Sequence, residues 1–340
     1  MPNTSYITRR DATLRLDGDP FQIDGFNTYY LMVYAADPEL RDHVDEVLDK
    51  AVDRGLNTLR TWAFNDGADE WNALQPAAGE WSEEVFRGLD YVIREAGRRG
   101  IRLILPLVNY WPDYGGMDQY VAWSGTAERR DDFYTDSGCR AMFRDHIAAV
   151  VGRTNRLTGR AYRDDPTILA WELANEPRCP SDRHGWRLYR WIDATSRYIK
   201  SLDDNHLVAT GMEGFHGPWT DRFNPPRWLD GEGTDFAWHH EPEAVDLACF
   251  HLYPDHWWMH EADGVRWIRE HVRVARRELG KPVILEEFGK RGSPALRRRC
   301  FDAWADEVAQ WSRPNQPLAG SLFWALYHDD YPDYDGFGIY

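Results

Sequence analysis

The stretch Ile168-Leu-Ala-Trp-Glu-Leu-Ala-Asn-Glu176 decides the fold, together with Pro282-Val-Ile-Leu-Glu-Glu-Phe-Gly289. In both stretches a short apolar run does not alternate with polar residues, and it ends in carboxyl side chains. Strands that are buried on both faces, as in parallel sheets, have this pattern. A carboxylate at the end of such a strand is costly unless it is paired, hydrogen-bonded or protonated, so both stretches also predict a functional site.

Further apolar runs of the same kind bring the number to eight. The eight runs cover residues 20–30, 56–64, 101–109, 168–176, 206–213, 246–253, 282–289 and 320–327. Stretches that predict helices lie between most of them, at residues 38–54, 83–99, 137–157, 185–202, 260–279 and 294–311. Gly55, Gly100 and Gly280 follow three of these helices, where a C′ glycine is common. The alternation predicts an α/β fold, a (β/α)8 TIM barrel, as a single domain over residues 1–340.

The end of the chain departs from a standard barrel. Tyr340 comes soon after the eighth run, where a further helix is normally added. We therefore expect the last helix to be absent, either because the ring of helices is left open or because the natural chain extends further.

The charge balance excludes several classes of partner. The chain has 56 acidic and 40 basic residues, a formal net charge of −16. This argues against a nucleic-acid partner, which needs a cationic face, and against an anionic membrane surface. No apolar stretch reaches the ~18 residues of a membrane span, and residues 1–10 lack the apolar core of a secretory signal. We expect a monomer, either cytoplasmic or secreted after removal of a signal.

We expect neither a metal nor a cofactor. The cysteines form no C-x-x-C pair, which favours reduced, packed thiols over structural zinc. They are Cys139, Cys179, Cys249 and Cys300. The first apolar run has no His-x-His, and the chain has no His-Glu-x-x-His helix motif for a catalytic metal. It also lacks the Gly-x-Ser-x-Gly elbow of a serine esterase.

Tryptophan is the most informative residue type, with 17 in the chain. Flat amphipathic rings suit surfaces that stack on sugars or bases, and the net charge disfavours bases. Residues 110–136 and 214–245 form long connections after the third and fifth runs. In a barrel the loops after the strands share the C-terminal face, so more than half of the tryptophans are expected on one rim. These are Trp71, Trp81, Trp111, Trp123, Trp219, Trp228, Trp238, Trp257 and Trp258.

Two carboxylates on different strands of one barrel favour glycoside hydrolysis. That reaction needs one carboxylic acid to protonate the leaving oxygen and one carboxylate to attack or to activate water; the alternative for each is a structural ion pair. Glu286 and Glu287 are adjacent, so on a regular strand only one of them faces the barrel centre, and periodicity does not decide which. Glu172 lies four residues before Glu176 and can share its face; we assign Glu172 a structural role.

At these residues the chain resembles glycoside hydrolase family 5, a family of retaining barrel enzymes in clan A. Asn175-Glu176-Pro177 and Glu287-Phe288-Gly289 carry the general resemblance. The β-mannanase and β-mannosidase subfamily is indicated by Arg60-Thr-Trp-Ala-Phe-Asn-Asp-Gly67, Asp165-Pro-Thr-Ile-Leu-Ala-Trp-Glu-Leu-Ala-Asn-Glu-Pro-Arg-Cys179, Gly233-Thr-Asp-Phe236 and His251-Leu-Tyr-Pro-Asp255. The resemblance covers about residues 21–339.

The resemblance implies a role for each matching residue. Glu176 matches the general acid/base and Glu287 the nucleophile, which decides between Glu286 and Glu287. Arg60 matches the arginine that hydrogen-bonds the nucleophile. Asn175 matches the residue that contacts the 2-hydroxyl of the sugar.

Five further residues complete the candidate substrate-binding set with Arg60 and Asn175. His251 and Tyr253 are two apart, so they face the same side, and Tyr253 matches the tyrosine near the nucleophile. Trp324 matches the platform on which the sugar stacks. Trp62 lies in the stretch after Arg60, and Trp257 in the loop after the sixth run. From the residues alone, core positions for His251 and Trp324 and a plain barrel ion pair for Arg60 stay open.

The resemblance implies β-1,4-mannan or manno-oligosaccharides as the substrate, cleaved by double displacement with carboxyl groups roughly 5–5.5 Å apart. We predict an endo-1,4-β-mannanase. The alternative is an exo-β-mannosidase, in which a loop blocks one end of the cleft, and the long connections are compatible with both. The same residues also leave open a β-1,4-glucanase or a non-catalytic carbohydrate-binding barrel.

Overall fold

The computed structural model describes residues 4–313 and 316–340. Three short antiparallel strands come first: β1 (Ile7–Arg10), β2 (Thr13–Leu16) and β3 (Asp19–Pro20). The strands of an eight-stranded parallel sheet follow: β4 (Ile23–Asn27), β5 (Thr58–Arg60), β6 (Arg102–Pro106), β7 (Ile168–Glu172), β8 (Leu207–Ala209), β9 (Ala248–Leu252), β10 (Val283–Phe288) and β11 (Leu318–Trp324). Strands β5 to β10 are buried along their whole length, as the non-alternating runs predict.

The parallel strands form a nearly closed barrel. Their order is β8-β7-β6-β5-β4-β11-β10-β9. A bridge between Ala209 and Leu247 joins the two end strands. The predicted TIM barrel is therefore confirmed, and its strand ends define the face on which a site is expected.

Ten α-helices are found in the described part of the chain. They are α1 (Leu31–Ala36), α2 (Arg41–Asp53), α3 (Glu83–Arg98), α4 (Gly116–Ser124), α5 (Ser137–Val151), α6 (Trp186–Leu202), α7 (Phe236–His239), α8 (Pro254–Trp257), α9 (Glu261–Val274) and α10 (Pro294–Trp311). All of the predicted helices are present. The one predicted over residues 137–157 is too long, because the Asn155 side chain accepts the N–H groups of Leu157 and Thr158 and closes a turn.

The N-terminal sheet was not predicted, because its strands are short and only partly apolar. It covers the N-terminal end of the barrel. Ile7 and Leu14 are buried in the same apolar cluster as Leu207 and Ile284 of the barrel strands. The chain therefore seals one end of the barrel and leaves the other end for the site.

Residues 325–340 form no helix; instead they pack against the end of α2. The Lys50 ammonium donates to the carbonyl of Tyr327, and the Arg54 guanidinium donates to the carbonyl of Tyr340. Leu326 and Ile339 form a bridge within the segment. These contacts hold the segment after β11 against the outside of the barrel.

The cysteines are all buried and free, so the prediction of packed thiols is confirmed for Cys139, Cys179, Cys249 and Cys300. Within residues 4–313 and 316–340, no helix combines the length and the apolar character needed to cross a membrane.

Helices α1 and α3 pack closely, and Gly88 makes this possible. A Cβ at Gly88 would overlap the carbonyl oxygen of Met32 and lie 2.7 Å from the backbone nitrogen of Ala36. In a helix with free space, replacing glycine by alanine stabilises by ~1 kcal/mol. At Gly88 the added methyl group would overpack the contact between the helices, so the substitution is expected to destabilise the protein.

We expect Gly88→Ala to lower the free energy of unfolding by ~1–3 kcal/mol in urea unfolding. The neighbouring Arg87→Ala is the control, because Arg87 is exposed and should change the stability by less than ~0.5 kcal/mol. A Gly88→Ala protein as stable as the Arg87→Ala protein would contradict the close packing.

Candidate active site

A cleft of about 1050 Å³ opens at the C-terminal ends of the barrel strands. Predicted site residues that line it are Trp62, Asn175, Glu176, Tyr253, Trp257, Glu287 and Trp324. The other two, Arg60 and His251, are fully buried and hydrogen-bonded to the carboxyl groups. The fold thus brings together residues that lie on or follow several different strands.

Arg60, at the end of β5, organises the floor of the cleft. Its Nε and Nη2 donate to the two oxygens of Glu172, each at 2.6 Å, and its Nη1 donates to Oε1 of Glu287 at 2.5 Å. The remaining donors reach Oδ1 of Asn175 at 2.8 Å and Oδ1 of Asn27 at 3.2 Å. All N–H donors of the guanidinium are therefore used. Although burial opposes the charge, Glu172 and Glu287 raise the pKa of Arg60, so it stays cationic.

Glu287 lies on an irregular part of β10. The register with β9 shifts between Leu285 and Glu287, so Glu286 is bulged. Oε2 of Glu286 lies 3.5 Å from Nε2 of His251, and Oε2 of Glu287 lies 3.6 Å from Nδ1 of the same ring. The expectation that adjacent glutamates point to opposite sides does not hold at this bulge. The Tyr253 hydroxyl donates to Oε2 of Glu287 at 2.6 Å, so both oxygens of Glu287 are oriented.

Glu176 lies in a turn after β7, with a positive φ of 50° that non-glycine residues rarely adopt. Its N–H donates to the carbonyl of Gly211 at 2.8 Å, which stabilises the turn. The indole Nε1 of Trp111 donates to Oε2 at 2.6 Å, and Nδ1 of His251 lies 2.8 Å from Oε1. The carboxyl group is therefore aimed into the cleft by two partners.

The buried charges control the protonation of the site. Although burial disfavours the cation, the charges of Glu287, Glu176 and Glu286 raise the pKa of His251 well above its ordinary value. The hydrogen bond and charge of His251 in turn outweigh burial and lower the pKa of Glu176 to about 2. Both shifts favour the imidazole over the Glu176 carboxylate as the holder of the proton between them.

The pKa shifts of Glu172 and Glu287 have the opposite direction, whereas Arg60 and His251 lower the pKa of Glu286 in spite of its burial. Burial raises the pKa of Glu172 to about 8, in spite of Arg60. Burial also raises the pKa of Glu287, opposed by His251 and Arg60. Because four carboxyl groups share this space with two cations, removing either cation would favour uptake of a further proton.

The two candidate catalytic carboxyl groups are close. One oxygen of each, together with a nitrogen of His251, lies within 4.8 Å of the others. In the described part of the chain, this is the group of side chains that converges closely enough to hold a metal ion. A protonated imidazole cannot coordinate a metal, so the charges around His251 disfavour that use.

Asn175 is held by both ends of its amide. Its Oδ1 accepts from Arg60, and its Nδ2 donates to Oδ1 of Asn109 at 2.9 Å. The amide is therefore held in a fixed orientation at the cleft, next to Glu176.

Four aromatic rings form one wall of the cleft, which we call the aromatic wall: Tyr29, Trp62, Tyr114 and Trp324. Trp324 stacks on Tyr29 with the ring planes 4° apart, and its Nε1 donates to Asp335 at 2.7 Å. Trp62 contacts Tyr29 and Tyr114. Trp257, by contrast, is only 2% exposed and packs against Tyr253 and Phe215, so its contribution to the cleft is mainly structural.

The other wall of the cleft, which we call the arginine wall, consists of Trp111, Arg178, Glu213 and Trp228. Trp111 and Trp228 are among the tryptophans expected on the rim, whereas Arg178 and Glu213 were not predicted as site residues. Arg178 donates to both oxygens of Glu213, at 2.5 and 2.7 Å. Its guanidinium lies between the rings of Trp111 and Trp228, 4.9 and 4.3 Å from their centroids. Arg178 follows the Asn-Glu-Pro stretch directly, and this position next to Glu176 could have indicated that Arg178 lies in the cleft.

Comparison with known proteins places this geometry in a family. The family model described as "GH family 5 beta-mannosidase-like" matches residues 4–328. "Mannan endo-1,4-beta-mannosidase 1" of Solanum lycopersicum is 42% identical over 347 residues, which cover 98% of this chain and 86% of that protein. "Mannan endo-1,4-beta-mannosidase 2" of Oryza sativa is 41% identical over 356 residues, covering 98% of this chain and 80% of that protein.

Solved structures are similar over the same span. An endo-1,4-β-D-mannanase from Thermotoga petrophila has a TM-score of 0.86 at 38% identity, covering 94% of this chain and 95% of that one. An endo-1,4-β-mannanase from Rhizomucor miehei has a TM-score of 0.88 at 35% identity. The match covers 98% of this chain and 94% of that one. The family match and the buried carboxyl pair lead to one conclusion: this chain belongs to the β-mannosidase-like group of glycoside hydrolase family 5.

Proposed function

We propose that this protein is a retaining endo-1,4-β-mannanase that acts on mannan or manno-oligosaccharides, with residues 1–340 acting as one catalytic domain. The observation that carries the proposal is the short distance between Glu176 and Glu287, whose nearest oxygens are within 4.8 Å. Retaining glycosidases have carboxyl groups about 5–5.5 Å apart, whereas inverting enzymes leave room for a water molecule at about 6.5–9.5 Å. The names of the relatives support mannan as the substrate.

In the first step, the Glu287 carboxylate attacks the anomeric carbon while Glu176 protonates the leaving glycosidic oxygen. A glycosyl ester forms on Glu287, and the sugar chain on the other side leaves as an alcohol. In the second step, Glu176 takes a proton from water, whose oxygen attacks the same carbon and releases Glu287. Two inversions give a product with the original β-configuration. Arg60 and Tyr253 keep Glu287 oriented during both steps.

The proton for the first step comes from the His251–Glu176 pair. Before substrate binds, the His251 imidazole holds this proton, with Nδ1 2.8 Å from the Glu176 carboxylate. Substrate displaces water from the cleft, and desolvation disfavours the separated charges of the ion pair. Transfer of the proton to Glu176 then gives a neutral pair with a carboxylic acid at the glycosidic oxygen.

The two walls of the cleft support endo cleavage. The aromatic wall follows β4, β5, β6 and β11, whereas the arginine wall follows β6, β7 and β8, so substrate-binding groups lie on both sides of the carboxyl pair. The cleft of about 1050 Å³ is slightly larger than the roughly 300–1,000 Å³ of pockets that bind a drug-sized ligand, so it has room for several sugar rings. The alternative exo-β-mannosidase would bind only a chain end.

The roles of the two glutamates can be separated by rescue with azide. We expect Glu176→Ala to lower kcat by about 10²–10⁴-fold, and Glu287→Ala to lower it further because no ester forms. On an aryl β-mannobioside, azide should give Glu176→Ala a β-mannobiosyl azide and Glu287→Ala the α-anomer, identified by NMR. The exposed Glu84→Ala is the control. Wild-type-like activity in either cleft variant would refute the assignment.

The product profile distinguishes endo from exo action. With polymeric mannan, we expect a spread of oligosaccharides and a rapid fall in viscosity, because the cleft accepts internal segments. Mannohexaose should give intermediate oligomers in timed chromatography. Stepwise release of mannose alone, with little change in viscosity, would instead support the exo-β-mannosidase.

The pH profile tests the origin of the proton. Neighbouring carboxylates raise the pKa of His251 above 6.5, so the pair keeps its proton up to that raised pKa and loses activity at higher pH. In His251→Asn the proton must stay on the Glu176 carboxyl, and a glutamate ordinarily has a lower pKa than a histidine, about 4.3 against about 6.5. We therefore expect the basic limb of kcat/KM to move to lower pH. An unchanged basic limb would show that His251 is not the reservoir.

A further inference from the structure

A second group of tryptophans lies outside the catalytic cleft. Trp186 is 55% exposed and Trp219 is 71% exposed. Together with the half-buried Trp238 they line a groove of about 330 Å³. The lining residues of this groove and those of the catalytic cleft do not overlap. Large exposed rings that converge in a groove usually mark a binding surface.

Each tryptophan ring of the groove packs against another ring. Trp219 stacks on His184, with centroids 5.0 Å apart and planes 12° apart. Trp238 stacks on Tyr189 at 4.6 Å and 11°. Trp186 stands edge-on to Trp238, at 4.6 Å and 82°. The groove therefore presents flat surfaces at two angles.

Buried His239 joins the two segments that carry these rings. Its Nδ1 accepts the N–H of Asp235 at 2.9 Å, and its Nε2 donates to the carbonyl of Gly185 at 2.9 Å. Burial lowers the pKa of His239 to about 4, so the ring is neutral, as these two bonds require. Trp186 and Trp238 are thus held in a constant relation, which lowers the entropy cost of binding a ligand.

The remaining lining is polar and of both signs. Arg183 pairs with Asp230 at 2.7 Å, and both side chains are exposed. Asp235 and Thr234 supply further oxygen atoms at the groove. Aromatic faces beside mixed donors and acceptors suit a neutral polyhydroxylated ligand, whose C–H faces stack and whose hydroxyls hydrogen-bond.

We infer that this groove is a second, non-catalytic binding site for a β-linked hexose chain. The inference rests on the proposed function, because it takes the ligand class from the catalytic cleft. Residues 214–245 supply Trp228 to the cleft and Trp219 and Trp238 to the groove. This connection thus contributes to both the cleft and the groove. A polymer bound in the groove is therefore held on the rim that carries the carboxyl pair.

The test compares polymer binding with hydrolysis of a short substrate. Trp186→Ala/Trp219→Ala removes the two exposed rings, and Trp71→Ala is the control because Trp71 is 52% exposed but lines neither site. Binding to soluble mannan is measured by affinity electrophoresis in the Glu287→Ala background, which leaves the polymer intact. We expect the double variant to weaken polymer binding about tenfold through loss of the second contact. With Glu287 present, kcat/KM for mannotetraose should change less than about twofold, because the cleft is untouched.

Three results would overturn the inference. The double variant could bind mannan as tightly as the Trp71→Ala control. It could lose mannotetraose hydrolysis in parallel with polymer binding, which would assign the rings to the cleft. Sedimentation velocity could show a dimer that the double variant abolishes, which would make the groove a contact between copies. Failure of the proposed function would be seen separately, as an absence of mannan and mannotetraose hydrolysis in the wild-type protein.

Discussion

The structure of the site depends on one buried cation. Arg60 has no contact with solvent, and it uses all its N–H donors on Glu172, Glu287, Asn175 and Asn27. Burying a guanidinium costs several kcal/mol, and breaking a buried pair by removing one partner typically costs about 3–5 kcal/mol. The four acceptors come from or directly follow β4, β7 and β10, so the requirement for complete pairing also constrains how these strands meet. The orientation of Glu287 is a consequence of this same requirement for complete pairing.

The second constraint is charge balance around His251. The imidazole is close to Glu176, Glu286 and Glu287, and each of them favours its protonated form. The bulge in β10 brings Glu286 and Glu287 to the same imidazole, because a regular strand would place these adjacent side chains on opposite sides. Glu176 therefore shares its proton with His251, and the protonation of Glu176 depends on all the charged groups around this imidazole.

The long connections contribute residues to both the cleft and the separate groove. Their tryptophans are not equivalent: Trp111 and Trp228 hold Arg178 in the cleft, whereas Trp219 and Trp238 face the separate groove. Composition predicts that such rings gather on one rim, but not how they divide. The division depends on hydrogen bonds such as those of His239, which link residues that are far apart in the chain.

The sequence alone was sufficient to predict the barrel, because non-alternating apolar runs separated by amphipathic helices have few other solutions. It also indicated Glu176 and one of the pair Glu286 and Glu287, since carboxylates at the ends of buried strands need partners. The choice of Glu287 and the role of Arg60 came from the resemblance to glycoside hydrolase family 5. The sequence did not indicate the N-terminal sheet, whose strands are too short to show a period. It placed Trp111 and Trp228 on the rim but did not indicate that they pack against Arg178, because that contact depends on how the loops fold together. The bulge at Glu286, the left-handed turn at Glu176 and the proton shared with His251 were decided only by tertiary structure, because each depends on distances between residues that the local pattern does not encode.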